Sequence, residues 1–128
     1  VMQEKCAVFR TDELISKGIE EFNQIESSMD NIDVKDKSMI FNTDLTESLE
    51  LHDLMAQSKA TRHSALNRTE SRGAHAREDY QERDDSNWLV HSLSWLDSKG
   101  DVKMGKRPVH MNTLTNHVQP IPPKKRVY

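Results

Sequence analysis

Cysteine is almost missing from this chain: Cys6 is the single one in 128 residues. One thiol cannot close an internal disulfide, which fits a reducing compartment. Aromatic residues are also scarce at 5%, and hydrophobic residues reach only 34% against 30% charged. With a mean hydropathy of -0.82, the chain has material for a modest core and reads as a domain that finishes that core against something else. No run approaches the roughly 20 apolar residues of a membrane span, and no stretch has the pattern of a signal peptide. Positive charge is not in excess either. A net charge of -3 argues against a nucleic-acid partner, and the basic cluster Lys124-Lys125-Arg126 is too short to reverse that. There is no glycine-rich phosphate loop and no dinucleotide fingerprint, so the chain lacks an FAD site of that kind.

What the sequence does have is helical periodicity, mostly in its first half. Residues 1–9 read as the end of a helix whose beginning is missing, with Met2, Cys6 and Phe9 on one apolar stripe and Cys6 a buried, inert thiol. Thr11 is placed to cap the next helix, with Asp12 and Glu13 favourable at its positive end. Leu14, Ile15, Ile19, Phe22, Ile25, Met29 and Ile32 then recur at three and four residues. Gly18 inside that stripe allows a close helix approach. Residues 27–38 are polar and read as a frayed helix end and a loop. Asn42 or Thr43 caps a second long helix that ends near Asn67 or Arg68. Leu45, Leu49, Ala56 and Ala60 make one face of it, and Leu51, Leu54, Met55 and Ser58 a neighbouring one. Two apolar faces predict a helix with neighbours on both sides, with Phe22 and Leu49 as core residues joining the long helices.

The second half reads differently. Residues 70–85 alternate charges of both signs around Gly73. Trp88 to Leu96 reads as a strand, Asp97-Ser98-Lys99-Gly100 as a turn and Val102 to Lys106 as a return strand ended by Pro108. The predicted fold is mainly α: an up-and-down, spectrin-repeat-like helical bundle over residues 1–68, a charged loop over 69–86, a small hairpin over 87–108 and an extended tail over 109–128.

The candidate sites are few. His52 and His63 share a helix azimuth but lie roughly 16 Å apart along the axis, and His75, His91, His110 and His117 show no ligand spacing, so no metal site is assigned. Ser71, His75 and Asp79 make no nucleophile turn, and no catalytic residue is assigned. What remains is Arg72, Gly73, His75, Arg77, Asp79 and Trp88. The arginines either pair internally with Glu70, Glu78, Asp79 and Asp84, which is the preferred reading, or face another domain. Trp88 and Trp95 read as packing anchors.

Those charged residues also carry a resemblance. Glu70-Ser71-Arg72-Gly73-Ala74-His75-Ala76-Arg77-Glu78-Asp79-Tyr80 resembles a segment of the flavoprotein subunits of succinate dehydrogenase and fumarate reductase. In family order around it stand Val8-Phe9-Arg10, Asn42-Thr43-Asp44-Leu45, Leu49-Glu50-Leu51, Asn87-Trp88, Arg107-Pro108-Val109 and Pro122-Pro123-Lys124-Lys125-Arg126-Val127-Tyr128. Gln81 departs from the pattern, standing where the family commonly has the proline of a fixed turn. The resemblance implies a C-terminal fragment of a subunit that oxidises succinate to fumarate through covalent FAD. It implies the flavin-binding and capping domains, an iron–sulfur subunit and, indirectly, membrane-anchor subunits as partners. It places the protein as a peripheral subunit on the cytoplasmic face of a bacterial inner membrane, or on the matrix side in mitochondria. The family's substrate and flavin residues would lie upstream of Val1. Fumarate reductase and a non-enzymatic interaction module are the alternatives.

Overall fold

The computed structural model describes residues 1–124. The last four residues of the predicted tail, 125–128, lie outside them. In chain order the elements are α1 (Met2–Lys5), α2 (Asp12–Glu26), a 3-10 turn (Met29–Asn31), α3 (Thr43–Asn67), α4 (Asp85–Trp88), β1 (Val90–Leu96) and β2 (Val102–Pro108). Four helices and a small two-stranded sheet match the mainly α expectation with a hairpin.

Local chemistry sets the helix limits. Thr11 accepts a hydrogen bond from the Leu14 amide, and Asn42 does the same for Leu45, so both helices start at a side-chain cap. The apolar run of residues 1–9 is helical only as far as Lys5; Ala7, Val8 and Phe9 are not in a helix, and Phe9 is 70% exposed. Met29 and Ile32 likewise fall outside α2. Gly18 has the role expected of it. A Cβ there would come within 2.7 Å of the Lys5 Cβ, so α1 can rest on α2 only because the side chain is absent.

α2 and α3 run antiparallel. Ile15 clusters with Ala65, the Arg62 guanidinium stacks on the Phe22 ring at 4.3 Å, and Lys59 pairs with Glu26 at 2.7 Å. The core is small: Cys6, Ile15 and Ala65 cluster with Met2, Ile19 and Leu66 packed against them, and Phe22, Met55 and Trp88 are buried outside that cluster. α3 has 25 residues against 15 for α2, so it is longer by roughly 15 Å at 1.5 Å per residue. Its overhanging N-terminal half corrects the sequence reading. Leu49 is 64% exposed, and Leu54 and Leu45 are also exposed, so Leu49 is no core residue in this chain, while Phe22 is. The apolar pattern was real, but nothing within the described residues covers it.

Arg62 was not singled out from sequence. It is 1% exposed, yet its Nε and Nη2 have no hydrogen-bond partner; only Nη1 is satisfied, donating to the Ile19 carbonyl. Burial pulls its pKa down from the ordinary value, against the attraction of Glu26 and Cys6. Methionine would keep the packing on Phe22 and remove two unsatisfied donors. Arg62→Met is therefore expected to raise the thermal midpoint, by about 1 kcal/mol after the lost cation–π contact is counted. A lower midpoint would mean that the guanidinium is better solvated than its surroundings imply.

The hairpin pairs Val90 with Pro108 through Leu96 with Val102. Its turn is the predicted one: Gly100 donates to the Asp97 carbonyl, with φ of 81°. Trp95 lies over Gly105, where a Cβ would clash at 2.8 Å, but it stays 52% exposed and so is a weaker anchor than expected. Trp88 is not in the strand. It closes α4, which Asp84 caps by accepting from the Ser86 and Asn87 amides.

Candidate functional site

Residues 68–85 are densely hydrogen-bonded and ion-paired, and the connections are built from short-range geometry upward. Gly73, at φ of 59°, makes the reversal that lets Arg72 and His75 bond each other's backbones at 2.8 and 3.1 Å. Nothing lies within 4 Å of a Cβ built on Gly73. Its requirement is the left-handed backbone, not a close approach. Ser71 stabilises the next turn: its hydroxyl accepts from the Arg77 amide at 2.8 Å and lies 2.8 Å from the Tyr80 carbonyl oxygen. A turn forms at Gln81 without the family's proline. The Tyr80 amide donates to the Arg77 carbonyl, and the Gln81 side chain donates to the Glu78 carbonyl.

Two buried charges organise the region. Arg77 has a fully buried side chain. Its Nε and Nη2 grip both oxygens of Asp79 at 2.8 and 2.7 Å, and Nη2 also reaches Asp12 at 3.2 Å. Its Nη1 donates to the Ala65 and Leu66 carbonyls at 3.1 Å. One guanidinium therefore satisfies carbonyls at the C-terminal end of α3 while holding the first residue of α2. Asp79 returns the link by accepting the Asp12 amide at 2.7 Å. The Arg77 side-chain hydrogen bond holds the Asp79 carboxyl at about 2, against 3.8 for an ordinary aspartate.

Glu70, with no exposed surface, is the second charge. Arg72 binds it in bidentate fashion at 2.8 and 3.0 Å, Arg68 pairs with it, and the Asp84 amide donates to it at 2.8 Å. Burial alone would raise its pKa; the hydrogen bonds from Arg72 and the Asp84 amide outweigh that and hold it below the usual carboxylate range. Arg72 also pairs with Asp85 at 2.7 Å. Arg68 extends the network to the sheet, donating to the Trp88 and Val90 carbonyls and stacking on the Trp88 ring at 5.1 Å. The Trp88 indole N–H donates to the Thr69 hydroxyl, and Lys106 sits 3.7 Å from the ring centre.

Arg72, Arg77, Asp79 and Trp88 are thus turned into the chain itself. Glu78 makes no ion pair among the described residues, and Asp84 acts as a helix cap and through its backbone. Sequence reasoning missed Asp12, Asp85, Arg68 and Arg10. Asp84, two residues before Ser86 and three before Asn87, was a readable cap signal; the Asp12 contact spans 65 positions and left none.

The arrangement does little chemistry. His75 bonds Arg10 and the Arg68 carbonyl, Ser71 bonds backbone, and Asp79 is held by Arg77. Among the described residues no base is aimed at a nucleophile. No group of three metal-ligating side chains gathers among the described residues, and no helix is long and apolar enough to cross a membrane. The two strands are antiparallel and the charged residues are spent on each other, so the strand–loop–helix cradle that holds a dinucleotide is not built from the described residues.

The sequence profile described as "Fumarate reductase flavoprotein C-term" matches residues 1–128. The succinate dehydrogenase flavoprotein subunit of Rickettsia bellii is 49% identical over 127 residues, which is 99% of this chain and 21% of that protein. The mitochondrial succinate dehydrogenase flavoprotein subunit of rice is 46% identical over the whole chain and 20% of its own length. A quinol fumarate reductase structure from E. coli superposes with a TM-score of 0.82 at 37% identity, covering 89% of this chain and 20% of that one. The chain spans about one fifth of the length of these relatives. With the profile covering every residue and the fold shared, the chain belongs to the C-terminal family of fumarate reductase and succinate dehydrogenase flavoproteins.

Proposed function

We propose that this chain is the structural C-terminal part of a succinate dehydrogenase flavoprotein subunit. The subunit it completes oxidises succinate to fumarate through covalently held FAD and passes the electrons to an iron–sulfur subunit. The chain itself contributes support and interface rather than chemistry. In this reading Arg72, Gly73, His75, Arg77, Asp79 and Trp88 order the loop. Membrane-anchor subunits are reached only indirectly, and the subunit is peripheral on the cytoplasmic face of a bacterial inner membrane.

The observation that carries this reading is an inversion of the usual surface. Charged side chains are buried together, while Met39, Ile40 and Phe41 are 94%, 77% and 96% exposed and lead directly into the exposed Leu45, Leu49 and Leu54 of α3. Phe41 is also held at φ of 50°, an unfavourable conformation for an aromatic residue. So many exposed apolar side chains along one stretch of chain suit a face buried in a larger protein. Packed against the preceding part of the subunit, the overhang of α3 would complete the spectrin-like up-and-down bundle. Fumarate reductase is the second reading, favoured by the E. coli structural likeness.

Two measurements test the proposal. The 128-residue chain alone is expected to show helical circular dichroism, no flavin absorbance and no succinate-dependent dye reduction. Leu49→Asp should leave its thermal midpoint within about 0.5 kcal/mol of wild type. The same change in the full-length subunit should lower stability and flavin retention. Turnover by the chain alone, or a full-length subunit indifferent to Leu49→Asp, would rule the proposal out.

A further inference from the structure

A cleft of about 370 Å³ opens between α3, the charged segment and β1, lined by Arg10, Ser64, Arg68, His75, Ser92 and Ser94 among others. Its lining includes two arginines and no acidic side chain. The two arginines differ. Arg68 is neutralised by Glu70 and engaged through its whole guanidinium, including a bond from Nε to the Ser92 hydroxyl at 3.3 Å. Arg10 has no carboxylate partner among the described residues. Its Nε donates to the Ala7 carbonyl at 2.7 Å and the Cys6 carbonyl at 3.2 Å, and its Nη1 lies 2.7 Å from His75 Nδ1.

That last contact fixes the imidazole. A guanidinium only donates, so Nδ1 must accept, and the proton sits on Nε2, which donates to the Arg68 carbonyl at 3.1 Å. His75 is therefore neutral and adds no charge of its own to the cleft, which leaves the positive charge there to the arginines. Burial pulls its pKa down, and Arg10, Arg77 and Arg68 add to this against the Arg68 carbonyl bond. The Arg10 guanidinium is half-buried, and its Nη2 has no hydrogen-bond partner among the described residues. The Ser64 and Ser94 hydroxyls lining the same cleft have no partner among the described residues, so they are further donors. A fixed guanidinium with two free hydroxyls and no competing carboxylate is the chemistry that recognises an oxyanion.

We propose that this cleft seats an oxyanion, a carboxylate or phosphate group, with Arg10 supplying the charge and Ser64 and Ser94 further hydrogen bonds. The site lies in this chain, and only the assignment of the anion's source rests on the subunit reading above. The oxyanion has two possible sources, a free small anion or a carboxylate side chain brought by the larger subunit.

Inorganic phosphate titrated into the 128-residue chain, with chloride balancing ionic strength, tests the site. The thermal midpoint should rise saturably in the millimolar range. Arg10→Gln should weaken the apparent affinity by at least about tenfold. Because Arg10 also holds backbone carbonyls, Ser94→Leu serves as the second variant. It fills the cleft from β1, leaves Arg10 in place, and should abolish saturation without lowering the midpoint in chloride. Saturation by the full-length subunit as well assigns the site to a free anion. Saturation by the short chain alone assigns it to a carboxylate from the rest of the subunit. A midpoint that rises linearly and equally in wild type and both variants, or does not rise at all, overturns the proposal.

Discussion

Replacing Arg77 with methionine is expected to destabilise the chain by about 3–5 kcal/mol, the range found when one member of a buried charged network is removed. The size follows from what the guanidinium touches. It is buried, and its loss takes the donor from the Ala65 and Leu66 carbonyls and cuts the link between Asp79 and the end of α3, leaving Asp79 only the Asp12 amide on α2. Lysine should recover less than half, because one ammonium cannot grip two carboxylate oxygens and two carbonyls at once. The same pair sets an acid limit. Asp79 titrates lower in the folded chain, at about 2 against 3.8. Its contribution is therefore complete above about pH 4 and is lost as pH falls toward 2. Arg77→Met should flatten that part of the stability–pH curve. An unchanged midpoint would return Arg77 to the alternative in which it serves another domain.

The second large effect is expected at Glu70. Glu70→Ala removes a carboxylate with no exposed surface that two arginines and the Asp84 amide share. It leaves the half-buried Arg68 without a counter-ion and Arg72 with Asp85 alone, a loss again of about 3–5 kcal/mol. Glu70→Gln should recover a small part, since one oxygen can still accept. The two substitutions should also differ in place. Arg77 joins α2 to the end of α3, so its loss should free α2. Glu70 joins the end of α3 to α4 and the sheet through Arg68 and Arg72, so its loss should free the hairpin. Urea denaturation with Trp88 fluorescence distinguishes them. Glu70→Ala should expose Trp88 before the helices unfold, and a single shared transition in both variants would contradict this division.

How much of this was readable depended on the range of the signal. The Thr11 and Asn42 caps, the Gly100 turn and the hairpin rest on residues within a few positions of one another, and each was legible. So was the inward pairing of the charged segment, because arginines so near carboxylates usually pair. Its partners were not legible where they lie far along the chain, as with Asp12 and Arg10. The α3 leucines show a different limit. Periodicity reports that a face is apolar, not whether its neighbour lies in the same chain, so Leu49 was assigned to a core that these residues do not build. Arg62 failed for the opposite reason: an arginine in a polar stretch of helix looks solvated, and only packing reveals that it lies on Phe22.

The central claim is that the charged segment is a clasp internal to this chain, holding α2, α3 and the hairpin together. Native-state amide hydrogen exchange on the 128-residue chain tests it most directly. The amides of Arg72, His75, Arg77, Glu78 and Asp84 each donate to a partner within the chain. If the clasp is internal, they should exchange only with the same opening that exposes Ile15 in α2 and Ala65 in α3. Exchange of those five amides at the rate of a free loop, while α2 and α3 remain protected, would contradict the account.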